Sequence, residues 1–272
     1  MLLLITGSHP RHLYLAKYLS ERMDLAAWII DVRENFTPTD RDLLKIEEKY
    51  RSIYEKHFSD RFKAENNFFE NISFDNFNDY KNKICKRILI CDKDSLNGSE
   101  VKDFIISNKP KICLSYGCHI LKDEILDLLP DNKFNIHGGI SPWYRGCITH
   151  FWPSYLLEPQ MTGMTMHKLT RKLDGGDILH QNSGILKRGD GIHDLACRTV
   201  KAFFSELPYV IELLNNEKSI LSPQKISGKL WTGSDWAPHH LEIIYKTFDN
   251  KIVDYCLDNN LTKIKKEIIR AF

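Results

Sequence analysis

What this sequence lacks narrows it first. No apolar run approaches membrane-spanning length. The opening Met1-Leu2-Leu3-Leu4-Ile5 is too short for a signal h-region and has no basic stretch before it, so no signal peptide is expected. Charge of one sign is not in excess: 38 Lys and Arg face 36 Asp and Glu. A net charge of +2 gives no electrostatic case for nucleic acid. The longest basic run, Lys263-Ile264-Lys265-Lys266, reads as a solvated helix face. The seven cysteines (Cys85, Cys91, Cys113, Cys118, Cys147, Cys197 and Cys256) are odd in number and contain no CxxC. That argues against a zinc ribbon and a disulfide framework, and predicts a reduced, cytoplasmic setting. GxGxxG and the P-loop lysine are missing, so dinucleotide and ATP binding are not supported. No HxxxH or HExxH spacing occurs among the histidines, and no metal is expected.

What is present is the material of a globular enzyme. The 272 residues are 42% hydrophobic, enough for one large domain or a domain with a small appendage. Leu2 to Ile5 reads as a buried strand. A helix from about His12 follows, with Leu15, Leu19 and Met23 on one face, and then a strand over Leu25 to Ile30. This βαβ opening predicts an α/β, Rossmann-like, doubly wound and mainly parallel sheet. Further strands are expected at 87–91, 112–115, 134–136 and 162–169, with 181–186 pairing near the last. Helices are expected at 99–107, at 121–129 and at 192–214, the last interrupted or kinked at Pro208. Residues 71–82 read as polar loop, and a further helix should carry Ile243, Ile244 and Phe248.

One long amphipathic helix is expected over 39–69, capped by Thr39. It would bury Leu43, Ile46, Tyr50, Ile53, Phe58 and Phe62. The division expected is a catalytic domain over 1–212 and a small C-terminal extension over 213–272. That helix and the aromatics around Trp231 and Trp236 are candidate surfaces for a homodimer.

Two stretches carry the chemistry. The first runs Phe134-Asn135-Ile136-His137-Gly138-Gly139-Ile140-Ser141-Pro142-Trp143-Tyr144-Arg145-Gly146. The second includes Thr162-Gly163-Met164-Thr165-Met166-His167 and ends in Leu173-Asp174-Gly175-Gly176. Asn135 and His137 are two apart, so on one strand they point to the same face. A carboxamide donates to a developing oxyanion without losing a proton. An imidazole moves a proton near neutral pH, and Asp174 can orient it. That trio suits acyl transfer to an amine with neither a metal nor a covalent enzyme intermediate. Taken singly, Asn-x-His is also a plain strand end and Asp-Gly-Gly a plain turn. Their joint occurrence makes the case.

The combination closely resembles the 10-formyltetrahydrofolate-dependent formyltransferases. These include the methionyl-tRNA, glycinamide ribonucleotide and sugar-nucleotide N-formyltransferases. The resemblance is specific over about 85–186. It implies catalytic roles for Asn135, His137 and Asp174. It implies that Tyr116, Gly117, His119, Ile120 and Leu121, with Lys172 and Leu173 opposite, hold the folate. The segment Gly138-Gly139-Ile140-Ser141-Pro142 departs from the family's usual Ser-Leu-Leu-Pro-like stretch. Ser8, His9 and Arg11, where the first strand enters the first helix, are candidates for an acceptor phosphate. Tyr144 and Arg145 are further substrate-contact candidates.

Among the branches, the chain most resembles the sugar-nucleotide N-formyltransferases. The basic C-terminal domain of the transfer RNA enzyme and the glycine-rich phosphate loop of the purine enzyme are missing. The implied acceptor is a nucleotide-linked amino sugar, such as a dTDP- or GDP-linked 4-amino-4,6-dideoxyhexose. Its product would serve O-antigen, lipopolysaccharide or other bacterial surface polysaccharide. No membrane or nucleic acid partner is expected. A methionyl-tRNA-type or other amine formyltransferase, a formyltetrahydrofolate hydrolase and a non-catalytic folate-binding relative are the alternatives.

Overall fold

The computed structural model describes residues 1–79, 81–216, 219–225, 228–264 and 266–272. In chain order the strands are β1 (Leu2–Gly7), β2 (Leu25–Asp31), β3 (Ile88–Cys91), β4 (Ile112–Tyr116), β5 (Lys133–His137), β6 (Tyr144–Gly146), β7 (Met164–Lys168), β8 (Ile178–Asn182) and β9 (Lys229–Trp231). Seven of them form one sheet in the order β3-β2-β1-β4-β5-β7-β8. β1 to β5 pair in parallel, while β5 with β7 and β7 with β8 are antiparallel. β6 and β9 make a separate parallel pair. The helices are α1 (Pro10–Ser20), α2 (Asp40–Leu43), α3 (Glu48–Phe68), α4 (Lys81–Ile84), α5 (Ser99–Asn108), α6 (Asp123–Leu126), α7 (Trp152–Tyr155), α8 (Ile192–Asn215) and α9 (Ile252–Asp258). The α/β architecture expected from the sequence is present.

Every residue of β1 is buried, as a central parallel strand with both faces covered requires. Successive side chains alternate between faces. Leu2 and Leu4 join Leu13, Trp28, Phe134, Phe203 and Phe204 under α1 and α8. Leu3 and Ile5 join Ala27, Ile29, Val101, Ile105 and Ile125 under α5 and α6. Trp28 is fully buried, donates Nε1–H to Thr6 Oγ1 at 2.9 Å and meets the Phe77 ring edge-on. Trp28→Ala removes that packing and orphans the hydroxyl, so a loss of about 3–5 kcal/mol is expected. A denaturant midpoint equal to that of wild type would refute this role.

Several local expectations are corrected. Thr39 does cap a helix, in a reciprocal box with Asp42, but that helix ends at Leu43 and α3 starts afresh at Glu48. The buried face of α3 carries His57, Ala64 and Glu65, while Phe62 is half exposed. Glu65 packs against arginines, so apolar periodicity could not find this face. α6 is one turn, not the whole of 121–129, and the chain before it stays in a loop. Helix α8 continues through Pro208, with Leu207, Val210 and Ile211 all buried. Packing of that face outweighs the local cost of proline. The 71–82 segment holds a helical turn at Phe77–Asp79 and the start of α4; its Tyr80 lies outside the described residues. Ile243–Thr247 is one π turn. Lys263, Ile264 and Lys266 are not helical, and Lys265 lies outside the described residues.

The C-terminal segment shares a core with the rest. Leu241, Ile244, Ile252 and Cys256 pack with Ile140, Tyr144, Phe151 and Trp152. Trp231 stacks on Trp152 with centroids 4.1 Å apart, and the Trp236 ring lies 6.1 Å from those of His57 and Phe151. Both tryptophans pack within the chain, and each remains partly exposed. Among the described residues no helix is long and apolar enough to cross a membrane.

Candidate active site

The sheet register assembles the site. Ser115 on β4 is beside Asn135 on β5, and Asn135 is opposite His167 on β7. Neighbours across strands on one face are close enough for their side chains to bond. Ser115 Oγ donates to Asn135 Oδ1 at 2.9 Å. His167 donates from Nδ1 to the Lys168 carbonyl at 2.8 Å, which leaves its Nε2 to accept from Asn135 Nδ2 at 3.3 Å. One N–H of the Asn135 carboxamide remains for a ligand.

His137 ends β5 with its ring fixed from behind. Nε2–H donates to the Tyr144 carbonyl at 2.8 Å, so Nδ1 is the nitrogen left to exchange a proton. Nδ1 faces Asp174 Oδ2 at 3.6 Å, and His167 Nε2 faces Asp174 Oδ1 at 3.6 Å. Asp174 sits at φ +45°, a left-handed conformation that Asp tolerates better than most residues. Its Oδ2 also accepts the Gly146 amide N–H at 3.0 Å. Burial works against this carboxylate, but His137, His167 and the Gly146 amide together hold its pKa well below the ordinary range. It is therefore a fixed negative charge between two imidazoles.

Two cavities meet at this point. The larger, about 720 Å³, opens where the helix cover of α5 and α6 stops, over β4, β5 and β7. Asn135, His137, His167 and Asp174 line its floor. One wall is the loop from Tyr116 to Leu121, and the other runs from Leu169 to Leu173. The loop is clamped from β2: Asp31 accepts the His119 backbone N–H at 2.6 Å and its ring Nδ1 at 2.8 Å. Gly117 has φ +66°, and a Cβ there would strike the His12 ring. The second cavity, about 320 Å³, is lined by Arg11, His57, Arg61, His150, Phe151 and His193 among others. Tyr116, His137, Gly138 and Gly146 border both cavities.

The sequence candidates fall into place unevenly. Tyr116, Gly117, His119, Ile120, Leu121, Lys172 and Leu173 all line the larger cavity. Of the five acceptor candidates only Arg11 lines the smaller one. Ser8 Oγ accepts the Arg33 amide at 2.9 Å, and His9 bonds the Glu34 carbonyl at 2.8 Å. The Tyr144 hydroxyl donates to Glu158 at 2.8 Å, and Arg145 is buried against the Gly228 carbonyl. These four side chains stand behind the walls. The sequence reading gave no role to His167, although its alternation on a strand facing β5 was a usable signal. Ser115 opens the segment that the resemblance assigns to folate, but its bond to Asn135 had no motif to announce it, nor had His150 or Arg61 with Glu65 on α3.

Comparisons with known proteins bear on the family and the fold. The formyl transferase family model matches residues 61–211. The bifunctional polymyxin resistance protein ArnA of Wigglesworthia glossinidia brevipalpis is 31% identical over 154 residues, 56% of this chain. The match spans only 22% of that relative's length. Among solved structures, the sugar 3N-formyl transferase WlaRD, solved with dTDP and 5-N-formyl-THF, aligns with TM-score 0.57 at 16% identity. The alignment covers 99% of this chain and 84% of WlaRD. A sugar N-formyltransferase from a Shewanella species gives 0.54 at 14% identity, covering 86% and 78%. A phosphoribosylglycinamide formyltransferase from Anaplasma phagocytophilum gives 0.54 at 16%, covering 85% and 96%. At such identities these structures share the fold. With more than half its length matched by the family model, the chain belongs to the formyl transferase family.

Proposed function

We propose that the protein transfers a formyl group from 10-formyltetrahydrofolate to the amine of a nucleotide-linked amino sugar. The observation that carries this reading is the meeting of two cavities at His137. A two-substrate transfer needs the donor and acceptor brought to one catalytic group from different sides. The larger cavity suits a folate in size and lining. It has backbone at Tyr116 to His119 for polar ring edges, and apolar Ile120 and Leu173 on its walls although 72% and 52% exposed. Bound there, 10-formyltetrahydrofolate supplies the carbonyl carbon that the amine attacks.

The chain's own groups then divide the task. The unused N–H of Asn135 donates to the oxygen that gains charge. His137 Nδ1, with the Asp174 carboxylate 3.6 Å from it, exchanges the proton directly or through water. The sugar branch is supported by WlaRD, which aligns over 99% of this chain, C-terminal segment included. The product, an N-formylated sugar nucleotide, belongs to the building of bacterial surface polysaccharide.

The test is mass spectrometry of the protein with 10-formyltetrahydrofolate and a panel of dTDP-, UDP- and GDP-linked amino sugars. A formyl mass increment on one sugar, lost in His137→Ala, is the expected result. Steady formate release without an increment would replace the reading with a hydrolase. Neither product would move the acceptor outside the amino sugars.

A further inference from the structure

The smaller cavity carries a charge arrangement that the proposed transfer has not used. Arg11, at the start of α1, donates Nε–H to Glu65 Oε1 at 2.8 Å, and its Nη2 lies 2.5 Å from the same oxygen. Arg61, one turn before Glu65 on α3, has Nε 3.5 Å from that oxygen. Glu65 Oε2 is buried without a hydrogen-bond partner. Two guanidiniums therefore share one carboxylate, and one positive charge is left over beside the cavity that both line.

The other groups facing this space do not cancel it. Burial pushes His57 and His150 down to about 3, with Arg61 and Arg11 respectively adding to the effect. Burial also holds His193 on α8 and His12 on α1 well below the usual range. Burial pushes the Tyr116 phenol on β4 up to about 12, and likewise the Cys197 thiol, which sits behind Arg11 rather than on the cavity wall. The wall is thus neutral imidazole and phenol around two guanidiniums that share one carboxylate. Asp174 acts in the opposite sense, but from beyond the His137 ring, with the Gly146 amide on its carboxylate. His150 donates Nε2–H to the Gly163 carbonyl at 3.2 Å. Its Nδ1 accepts from Arg11 Nη1 at 3.4 Å, so the ring is held neutral between the Gly163 carbonyl and the guanidinium.

We propose that the Arg11–Glu65–Arg61 cluster acts on the acceptor: it lowers the pKa of the bound amine, so that the amine stands beside His137 as the free base. This inference rests on the formyl-transfer reading. An ammonium group cannot attack a carbonyl carbon, and a like charge in a poorly solvated site disfavours it. The proton leaves to solvent buffer as the acceptor binds. Glu65 is a positioning residue, which holds Arg11 and limits the positive charge.

The experiment is the pH dependence of turnover on the amino sugar that the mass-spectrometric panel identifies. The rising limb of kcat reports the amine in the complex, and that of kcat/KM reports the free amine. In Arg61→Gln the kcat limb should move alkaline by about one pH unit, while the kcat/KM limb stays in place. In Glu65→Gln the kcat limb should move acid. General damage to the fold does not produce shifts of opposite sign. Glu65→Gln leaves two arginines unpaired; if it does not fold, Arg61→Gln alone decides the sign.

His9 provides a control without substrate. Burial first, with Arg61 and Arg11 adding and Glu65 opposing, brings it down to about 4. Its titration by NMR should rise in Arg61→Gln. With His9 moved and the kcat limb unmoved, the inference is overturned while formyl transfer stands. A change in KM alone would reduce the cluster to an anchor for acceptor anions, and also overturns it. A wild type that formylates no amino sugar overturns the transfer reading, and this inference with it.

Discussion

His137→Ala should lower kcat by about 100- to 10,000-fold, the range that a positioned proton-transfer group contributes. The ring is locked through Nε2 on the Tyr144 carbonyl, and its other nitrogen faces a carboxylate held ionised. No other imidazole borders both cavities among the described residues. His150 borders only the smaller cavity and has both nitrogens engaged, one by the Gly163 carbonyl and the other by Arg11. Folate affinity should be unchanged, because the cavity walls at Tyr116 to Leu121 and Leu169 to Leu173 do not depend on this ring. Turnover followed by mass spectrometry and folate binding followed by calorimetry separate the two. A variant turning over at the wild-type rate would sink the catalytic assignment.

Asn135→Ala should cost about 3 kcal/mol of barrier, or roughly 100- to 1,000-fold in kcat, the loss seen when one oxyanion donor is removed. The carboxamide is held at both ends, by Ser115 on its oxygen and His167 on its nitrogen, so the donor stays aimed. Asn135→Asp keeps the shape but sets a carboxylate where the oxyanion forms, and should be no faster than Ala. Acceptor KM should move little in either variant. An Asp variant as active as wild type would show that Asn135 does not face the developing charge.

Much of this was legible in the sequence, for identifiable reasons. β1, β2 and β4 are short apolar runs, and buried parallel strands announce themselves that way. Asn135, His137 and Asp174 were legible because their residue types and spacing match a chemistry. α3 was legible only in part: Ile53 packs on the core as its spacing suggests, but Glu65 on the same helix faces arginines. Arg11 and Glu65 are 54 residues apart, and only the packing of α1 on α3 shows that they neutralise each other. His167 needed the register of β5 against β7, which strand patterning leaves open. Ser8 and His9 lie at a helix start that suits a phosphate. The folded chain instead ties Ser8 to the Arg33 amide and His9 to the Glu34 carbonyl.

The short pair of β6 with β9 has a consequence for recombination. Tyr144, whose carbonyl anchors His137, and Gly146, whose amide holds Asp174, are the two ends of β6. Tyr144 is paired with Lys229 and Gly146 with Trp231, at φ +90°, where an added Cβ would strike the Trp231 carbonyl. The segment beyond residue 213 is thereby bolted to the two backbone groups that align His137 and Asp174. It is not an interchangeable module. A chimaera that swaps it for a relative's tail inherits the new tail's alignment of His137 and Asp174, and its turnover is set by how well that graft re-forms a three-residue ladder.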